Sequence, residues 1–351
     1  MFMSMTVCAM SGPEVVLWTR IKRNSAMKRN RRAVLSAALY FATVMSLLAA
    51  PNASADLFVS SQGTNSVLQY NETTGAFIGT FASGGGLGAP NDLRFGPDGN
   101  LYVSSYTSDN VLRYNGTSGA FLNVFATGSG LSGPYGMAFG PDGNFYVSSN
   151  GSNNVKRYNG TTGAFIDTFA TGGGLNSPDG LGFGPDGNLY VSSGLTNAVL
   201  RYNGTTGAFI DSFASGGGLS APAGFVFGPD GNLYVSSFST DNVLRYNGTT
   251  GAFINTFATG SGLTGPIGLG FGPDGNLYVS SGSNEVLRYN GTSGAFIDSF
   301  VTAGSGGLNG PSYLTFSAPV PEPETYAMML AGLGLLGFAA RRRKHQAAAA
   351  A

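Results

Sequence analysis

The sequence predicts an all-β fold, a six-bladed β-propeller of four-stranded blades, on three observations. A 44-residue unit is written out six times, with LYVSS-like segments starting at Leu57, Leu101, Phe145, Leu189, Leu233 and Leu277; a fixed period of roughly 20–50 residues marks a repeat architecture. Each unit holds four short strand patterns separated by turn chemistry. The two ends are also out of phase. The chain enters at the second strand of a blade, and its last strand pattern, Tyr313-Leu314-Thr315-Phe316, is a first strand with no GPDGN after it. That strand is expected to complete the first blade, so that one C-terminal and three N-terminal strands close the ring and leave only short edges. A solenoid would instead need capping repeats.

The second copy illustrates the elements. Leu101-Tyr102-Val103-Ser104 reads as one strand, Val111-Leu112-Arg113-Tyr114 as the next, Ala120 to Phe125 as the third and Met137-Ala138-Phe139 as the fourth. GPDGN recurs at Gly96, Gly140, Gly184, Gly228 and Gly272, and its Asp-Gly supplies the positive φ of a tight hairpin. Nothing in the body has helical periodicity. The recurring aromatics, such as Tyr102, Phe121 and Phe139, are expected to pack between blades. Arg113, Arg157, Arg201, Arg245 and Arg288 share one strand position, and Asp167, Asp211 and Asp298 share another on the next strand. Exposed ion pairs of small energetic weight are expected there.

Composition narrows the function. The 56 glycines and 10% charged residues resemble a low-complexity chain, but 42% hydrophobic and 12% aromatic content calls for a packed core. The formal net charge of zero hides an acidic body: residues 56–317 hold 15 Asp/Glu against 7 Lys/Arg. No basic stripe is available to neutralise phosphates, which argues against nucleic-acid binding. Cys8, Trp18 and His345 are single and lie outside the repeats, so the body has no disulfide, thiol nucleophile or imidazole.

The ends carry addresses. The basic run Lys28-Arg29-Asn30-Arg31-Arg32 precedes an apolar stretch from Ala33 to Ala50 and the small-residue site Ala53-Ser54-Ala55. That order reads as a secretory signal peptide cut by signal peptidase before Asp56. Residues 27–55 are complete by themselves, so 1–26 are expected to be a mis-assigned upstream extension. At the other end, Pro321-Glu322-Pro323 is followed by an apolar segment from Thr325 to Ala340 and by Arg341-Arg342-Arg343-Lys344.

This end resembles the PEP-CTERM sorting signal of Gram-negative bacteria that make exopolysaccharide. The resemblance implies cleavage at the Pro-Glu-Pro motif by an exosortase, a membrane transpeptidase, after transient anchoring in the inner membrane. Release or transfer to the cell surface or extracellular matrix would follow. A 16-residue helix spans about 24 Å against a hydrocarbon core of about 30 Å, and the basic cluster would stop transfer on the cytoplasmic side. The organisation therefore reads as a signal peptide at 27–55, a propeller at 56–318, a sorting signal with a short hydrophobic helix at 319–344 and a tail at 345–351.

The repeats resemble the NHL propellers in Pro-x-Gly-Leu, Gly-x-Asp-Gly-Asn-Leu-Tyr-Val and Asn-x-Val-Leu-Arg-Tyr. They depart from that family at Ser104, Ser148, Ser192, Ser236 and Ser280, where an acidic residue is common. WD40 is excluded, since the body has no Trp and no His.

Several strings have plainer readings than their motifs suggest. Gly128-x-Gly130-x-x-Gly133 and Gly260-x-Gly262-x-x-Gly265 match a dinucleotide fingerprint, but Pro134 and Pro266 follow at once, with a strand where a helix is required. Asn71, Asn115, Asn159, Asn203, Asn247 and Asn290 begin N-x-Thr sequons, and the expected role is the turn. Asp98, Asp142, Asp186, Asp230 and Asp274 lack calcium-loop spacing and are expected to serve turns.

Function is better sought where the copies disagree. After the repeated proline stand Asn91, Tyr135, Asp179, Ala223, Ile267 and Ser312; the next position holds Asp92, four glycines and Tyr313. Tyr106, Asp109, Phe238 and Asp241 stand out in the loop after the second strand. Asn91, Asp92, Tyr135, Asp179 and Tyr313 are expected to form a shallow carboxylate and aromatic site suited to sugars. The leading expectation is a non-catalytic surface or extracellular module that binds or scaffolds polysaccharide or matrix. It carries no catalytic residue, metal or cofactor. The rival is a metal-assisted lyase or lactonase similar to streptogramin lyase or gluconolactonase, which use histidine or clustered acids. Here the body has no His, and Asp92, Asp109, Asp179 and Asp241 are scattered over the ring.

Overall fold

Each LYVSS-like segment forms a strand buried along its whole length, as Leu101–Ser105 does, because it lies inside a blade with further blades on both faces. In the computed structural model, which describes residues Ala55–Ser317, such strands organise six antiparallel four-stranded sheets. Blade 2 runs outward from Pro90–Phe95 through Leu101–Ser105 and Asn110–Tyr114 to Phe121–Thr127. The innermost strands of blades 3, 4, 5 and 6 are Pro134–Phe139, Pro178–Phe183, Pro222–Phe227 and Leu269–Phe271. Each touches the next, and the series closes on itself.

Closure occurs as the phase of the ends requires. Pro311–Phe316 is the innermost strand of blade 1, beside Leu57–Ser61, Ser66–Tyr70 and Phe77–Ser83. Leu57 pairs with Phe316 and Val59 with Leu314. Ser317 N donates to Asp56 O at 3.0 Å, and Gln62 N donates to Gly310 O at 3.0 Å. Ala55 is buried, its N–H on Glu72 Oε2 at 2.6 Å.

Aromatic side chains join the blades. Tyr102 meets Phe125 of its own blade at 4.8 Å and Phe139 of the next at 5.1 Å, both edge to face. The seam repeats this geometry, with Tyr278 of blade 6 against Phe300 and, at 5.0 Å, Phe316 of blade 1. Phe121 packs between blades only in part. On the outermost strand and 41% exposed, it lies over Gly85 of the preceding blade and meets Tyr114 of its own at 5.7 Å. Two bulges per outermost strand, such as those between Val111/Leu112 and Arg113/Tyr114, twist that edge and blunt it. They also carry the strand to Thr127, past the Phe125 limit expected from pattern alone.

Local polar groups explain most of the copied residues. Asp98 accepts from Asn100 N and Nδ2 and from Tyr102 hydroxyl at 3.0 Å, with Arg113 3.5 Å away. Burial raises the Asp98 pKa, but these hydrogen bonds and the Arg113 charge outweigh it and leave it below the ordinary value. Asn71 Oδ1 accepts from Thr73 N, Thr74 N and Thr74 Oγ1, the turn role expected of the sequons. Arg157, Arg201 and Arg288 form two-bond pairs with Asp167, Asp211 and Asp298.

Short 3-10 turns such as Tyr106–Ser108, absent from the sequence reading, follow four of the buried strands. Each loop of this set exits through a left-handed residue, Asn65, Asp109, Asn153, Asn197, Asp241 or Asn284. Its side chain caps the next blade's loop, as Asp109 Oδ1 does for Gly133 N at 2.7 Å. Asp109 and Asp241 are therefore copies of a structural asparagine rather than unlike ligand groups.

Candidate functional site

The second and third residues of the innermost strands determine what fills the axis. At the third place Gly180 and Gly224 are required by close approach. A Cβ on Gly180 would come 2.6 Å from Ala223 O and 3.1 Å from the Tyr313 hydroxyl; one on Gly224 would come 2.5 Å from Ile267 O and 3.3 Å from the Tyr313 ring. The glycines leave a lane one aromatic ring wide, and Tyr313 occupies it, 6% exposed. Its hydroxyl donates to Asp179 Oδ1 at 2.7 Å. Blades 1 and 4 face each other in the ring of six, so this bond crosses the axis.

The other predicted residues gather around that plug. Asp92, 2% exposed, has every oxygen engaged: Oδ1 accepts from Leu93 N at 2.9 Å, and Oδ2 from Met137 N at 2.7 Å and Arg94 Nε at 3.0 Å. Asn91 is buried, and its Oδ1 accepts from Gln62 Nε2 and from Ser312 Oγ at 3.0 Å. Tyr135 is half-buried and meets Tyr106 edge to face at 5.3 Å. The five residues line the same end of the axis, with Asn91, Asp92 and Tyr313 buried and Tyr135 and Asp179 half-buried; the Tyr313–Asp179 hydrogen bond is the direct tie between two of them. The loops above them expose two aromatic rings among polar residues: Tyr106 and Phe238 are 38% and 44% exposed.

Burial sets the electrostatics. It pushes the Asp179 carboxyl up to about 7; the Tyr313 hydrogen bond pulls the other way and the Asp92 charge adds to the rise. Burial also raises Asp92, with Arg94 and the Met137 and Leu93 N–H groups offsetting part of it. Tyr135 is raised by burial and then by the charges of Asp179 and Tyr106. Asp179 can therefore hold a proton near neutrality.

Among the described residues no group of three or more His, Cys, Asp or Glu side chains could hold a metal ion. The model of the SMP-30/Gluconolactonase/LRE-like region matches residues 7–239, more than half of the 351-residue chain. The chain belongs to the SMP-30/Gluconolactonase/LRE-like family. In this family member the match ends within blade 5, and the same blade pattern continues to Ser317.

A second match, to the PEP-CTERM protein-sorting motif, covers residues 319–344 and implies an exported protein processed by an exosortase. Pro321, Glu322, Pro323, the Arg341–Lys344 cluster, Ala53 and residues 1–54 lie outside the described residues. Among the described residues no helix is long and apolar enough to cross a membrane.

No curated protein matches the sequence. Solved structures do. A chain of a nidogen/laminin complex is 16% identical, with 76% of this chain and 99% of that chain covered and a TM-score of 0.60. A protein of unknown function from Bacteroides caccae is 17% identical, with 75% and 99% covered and a TM-score of 0.58. A streptogramin B lyase is 17% identical, with 62% and 70% covered and a TM-score of 0.50. At these identities the likeness is one of fold.

Sequence reasoning missed Arg94 and the glycine lane. Arg94 carried a signal: among its equivalents Ala138, Gly182, Val226, Gly270 and Thr315 it is the charged one. The lane was visible only as four glycines at one strand position, because residue type alone does not show which ring passes over them.

Proposed function

We propose that this family member is an exosortase-sorted propeller, anchored transiently in the inner membrane. It is then displayed on the surface or released, where it binds or scaffolds extracellular polysaccharide without catalysing a reaction. The observation that carries this reading is that the axis beneath the loop face is filled by the protein's own side chains. Tyr313 and Asp179 satisfy each other, and the Asp92 oxygens are engaged by Arg94, Met137 and Leu93. Carboxylates so committed offer little to a substrate, whereas Tyr106 and Phe238 present apolar ring surface on the adjoining loops, suited to the C–H faces of sugars. Binding of the exported protein to the producing cell's polysaccharide tests the reading, with Tyr106→Ala and Phe238→Ala expected to weaken it.

The raised pKa of Asp179 beside Tyr313 favours a second reading, a lyase or lactonase with Asp179 as general acid. A divalent-metal shift in melting temperature that disappears in Asp92→Ala and Asp179→Ala would support it against the first.

A further inference from the structure

The axis has a second end, beside the GPDGN turns, and there the blades differ in size rather than in packing. A cavity of about 290 Å³ lies between the C-terminal halves of the innermost strands of blades 1, 2, 5 and 6. This is at the small end for ligand pockets, which run from roughly 300 Å³ upward. Its room comes from the fifth strand position, where Val226, Gly270 and Thr315 line the same space as Arg94. Gly270 is outside the positive-φ glycines, and a Cβ there would meet the Leu314 side chain at 3.3 Å. The backbone conformation does not demand glycine there, and its smallness leaves the space open.

Arg94 brings a guanidinium to the cavity, paired with the Asp92 carboxylate beside it. Nε donates to Asp92 Oδ2, while the terminal amino groups make no hydrogen bond with another described residue. The Arg94 side chain is 40% exposed and Asp92 2%. Asp92 thus holds the guanidinium by one edge and leaves the other edge to the cavity. A guanidinium edge matches a carboxylate through two parallel N–H···O bonds. The Asp92 oxygens already accept from Leu93 N, Met137 N and Arg94 Nε, so they do not compete to draw in a cation. Leu93, Phe225, Leu269 and Phe271 supply apolar walls.

We propose that this end of the axis is a binding site for a small carboxylate with a compact apolar body, its head on the free edge of Arg94 and its body between the apolar walls. The site is distinct from the loop face proposed to bind polysaccharide, and each can fail without the other.

Benzoate, with benzamide as its uncharged counterpart, tests the proposal by calorimetry on the purified exported protein. Benzoate is expected to bind with one-to-one stoichiometry and at least tenfold more tightly than benzamide. Gly270→Leu, which takes up cavity space and leaves the Arg94–Asp92 pair unmutated, should weaken benzoate at least tenfold, as should Arg94→Gln. Arg94→Gln removes the partner of a buried carboxylate, so Gly270→Leu decides the matter if that variant does not fold. Polysaccharide binding should be unchanged in Gly270→Leu. Absence of benzoate binding, equal binding of benzamide, or full affinity in Gly270→Leu would overturn the proposal.

Discussion

Tyr313 hydroxyl donates to Asp179 Oδ1 at 2.7 Å, tying the innermost strand of blade 1 to that of blade 4 across the propeller axis. The two residues are 134 positions apart in sequence. The bond forms because glycine at 180 and 224 lets the ring pass. Tyr313 also belongs to the strand that closes the ring, so the plug and the seam are built from one segment. Tyr313→Phe removes the donor and keeps the ring. It should cost about 1–2 kcal/mol in denaturant unfolding, with the fold unchanged by circular dichroism.

The pH dependence follows from Asp179. Its folded pKa, about 7, lies above the ordinary 3.8, so between those values the folded protein holds a proton that the unfolded chain has released. Stability therefore falls as pH rises from about 4 to about 7 and levels off above. The GPDGN aspartates act with the opposite sign: with folded pKa values below 3.8, they add stability that is lost only in stronger acid. Asp179→Asn should reduce the slope between pH 4 and 7, leaving what Asp92, also raised by burial, contributes in the same sense, and leave the acid limb in place. An Asn variant that keeps the slope would place the titration elsewhere.

Blade 3 carries a local fault. Lys156, 6% exposed, occupies the position held by Leu68, Leu112, Leu200, Leu244 and Leu287 elsewhere, with Thr168 Oγ1 as its hydrogen-bond partner. Restoring the repeat with Lys156→Leu should stabilise the protein by about 1 kcal/mol. Thermal melting at fixed pH reads this directly, and a lower midpoint would show that the ammonium has a role the packing does not reveal.

The seam is expected to be more sensitive than the rim. Phe316→Ala deletes the edge-to-face contact with Tyr278 and should cost about 2–3 kcal/mol. Phe121→Ala, on a ring 41% exposed, should cost less. Denaturant midpoints of the two variants give the order.

The sorting motif makes a cellular prediction. Replacing Pro321-Glu322-Pro323 by alanines should leave the precursor in the inner-membrane fraction, detectable by fractionation and immunoblotting. Unchanged release would mean that the match at residues 319–344 is not read by an exosortase.

Blade number and turn chemistry were legible in the sequence because each depends on a recurring local pattern, and ring closure because the two ends of the repeat series are out of phase. Tyr102 and Phe139 announced inter-blade packing by recurrence. Asp109 and Asp241 misled for the converse reason: Asp and Asn cap the same N–H in the left-handed loop, so a change of residue type was not a change of role. Asn91, Asp92, Tyr135, Asp179 and Tyr313 were found as breaks in the repeat. How they sit was not legible, because it depends on how far the Tyr313 side chain reaches past Gly224 and Gly180 on two other blades. The cavity beside Arg94 went unread for a similar reason, since space between strands leaves no mark on any one of them.

The most direct test of the proposed function follows both binding and chain length when the exported protein is mixed with the producing cell's polysaccharide. The expected result is saturable binding with no new chain ends, weakened in Tyr106→Ala and Phe238→Ala and unaffected in Tyr313→Phe. Depolymerisation that disappears in Asp179→Asn, or failure to bind at all, would contradict it.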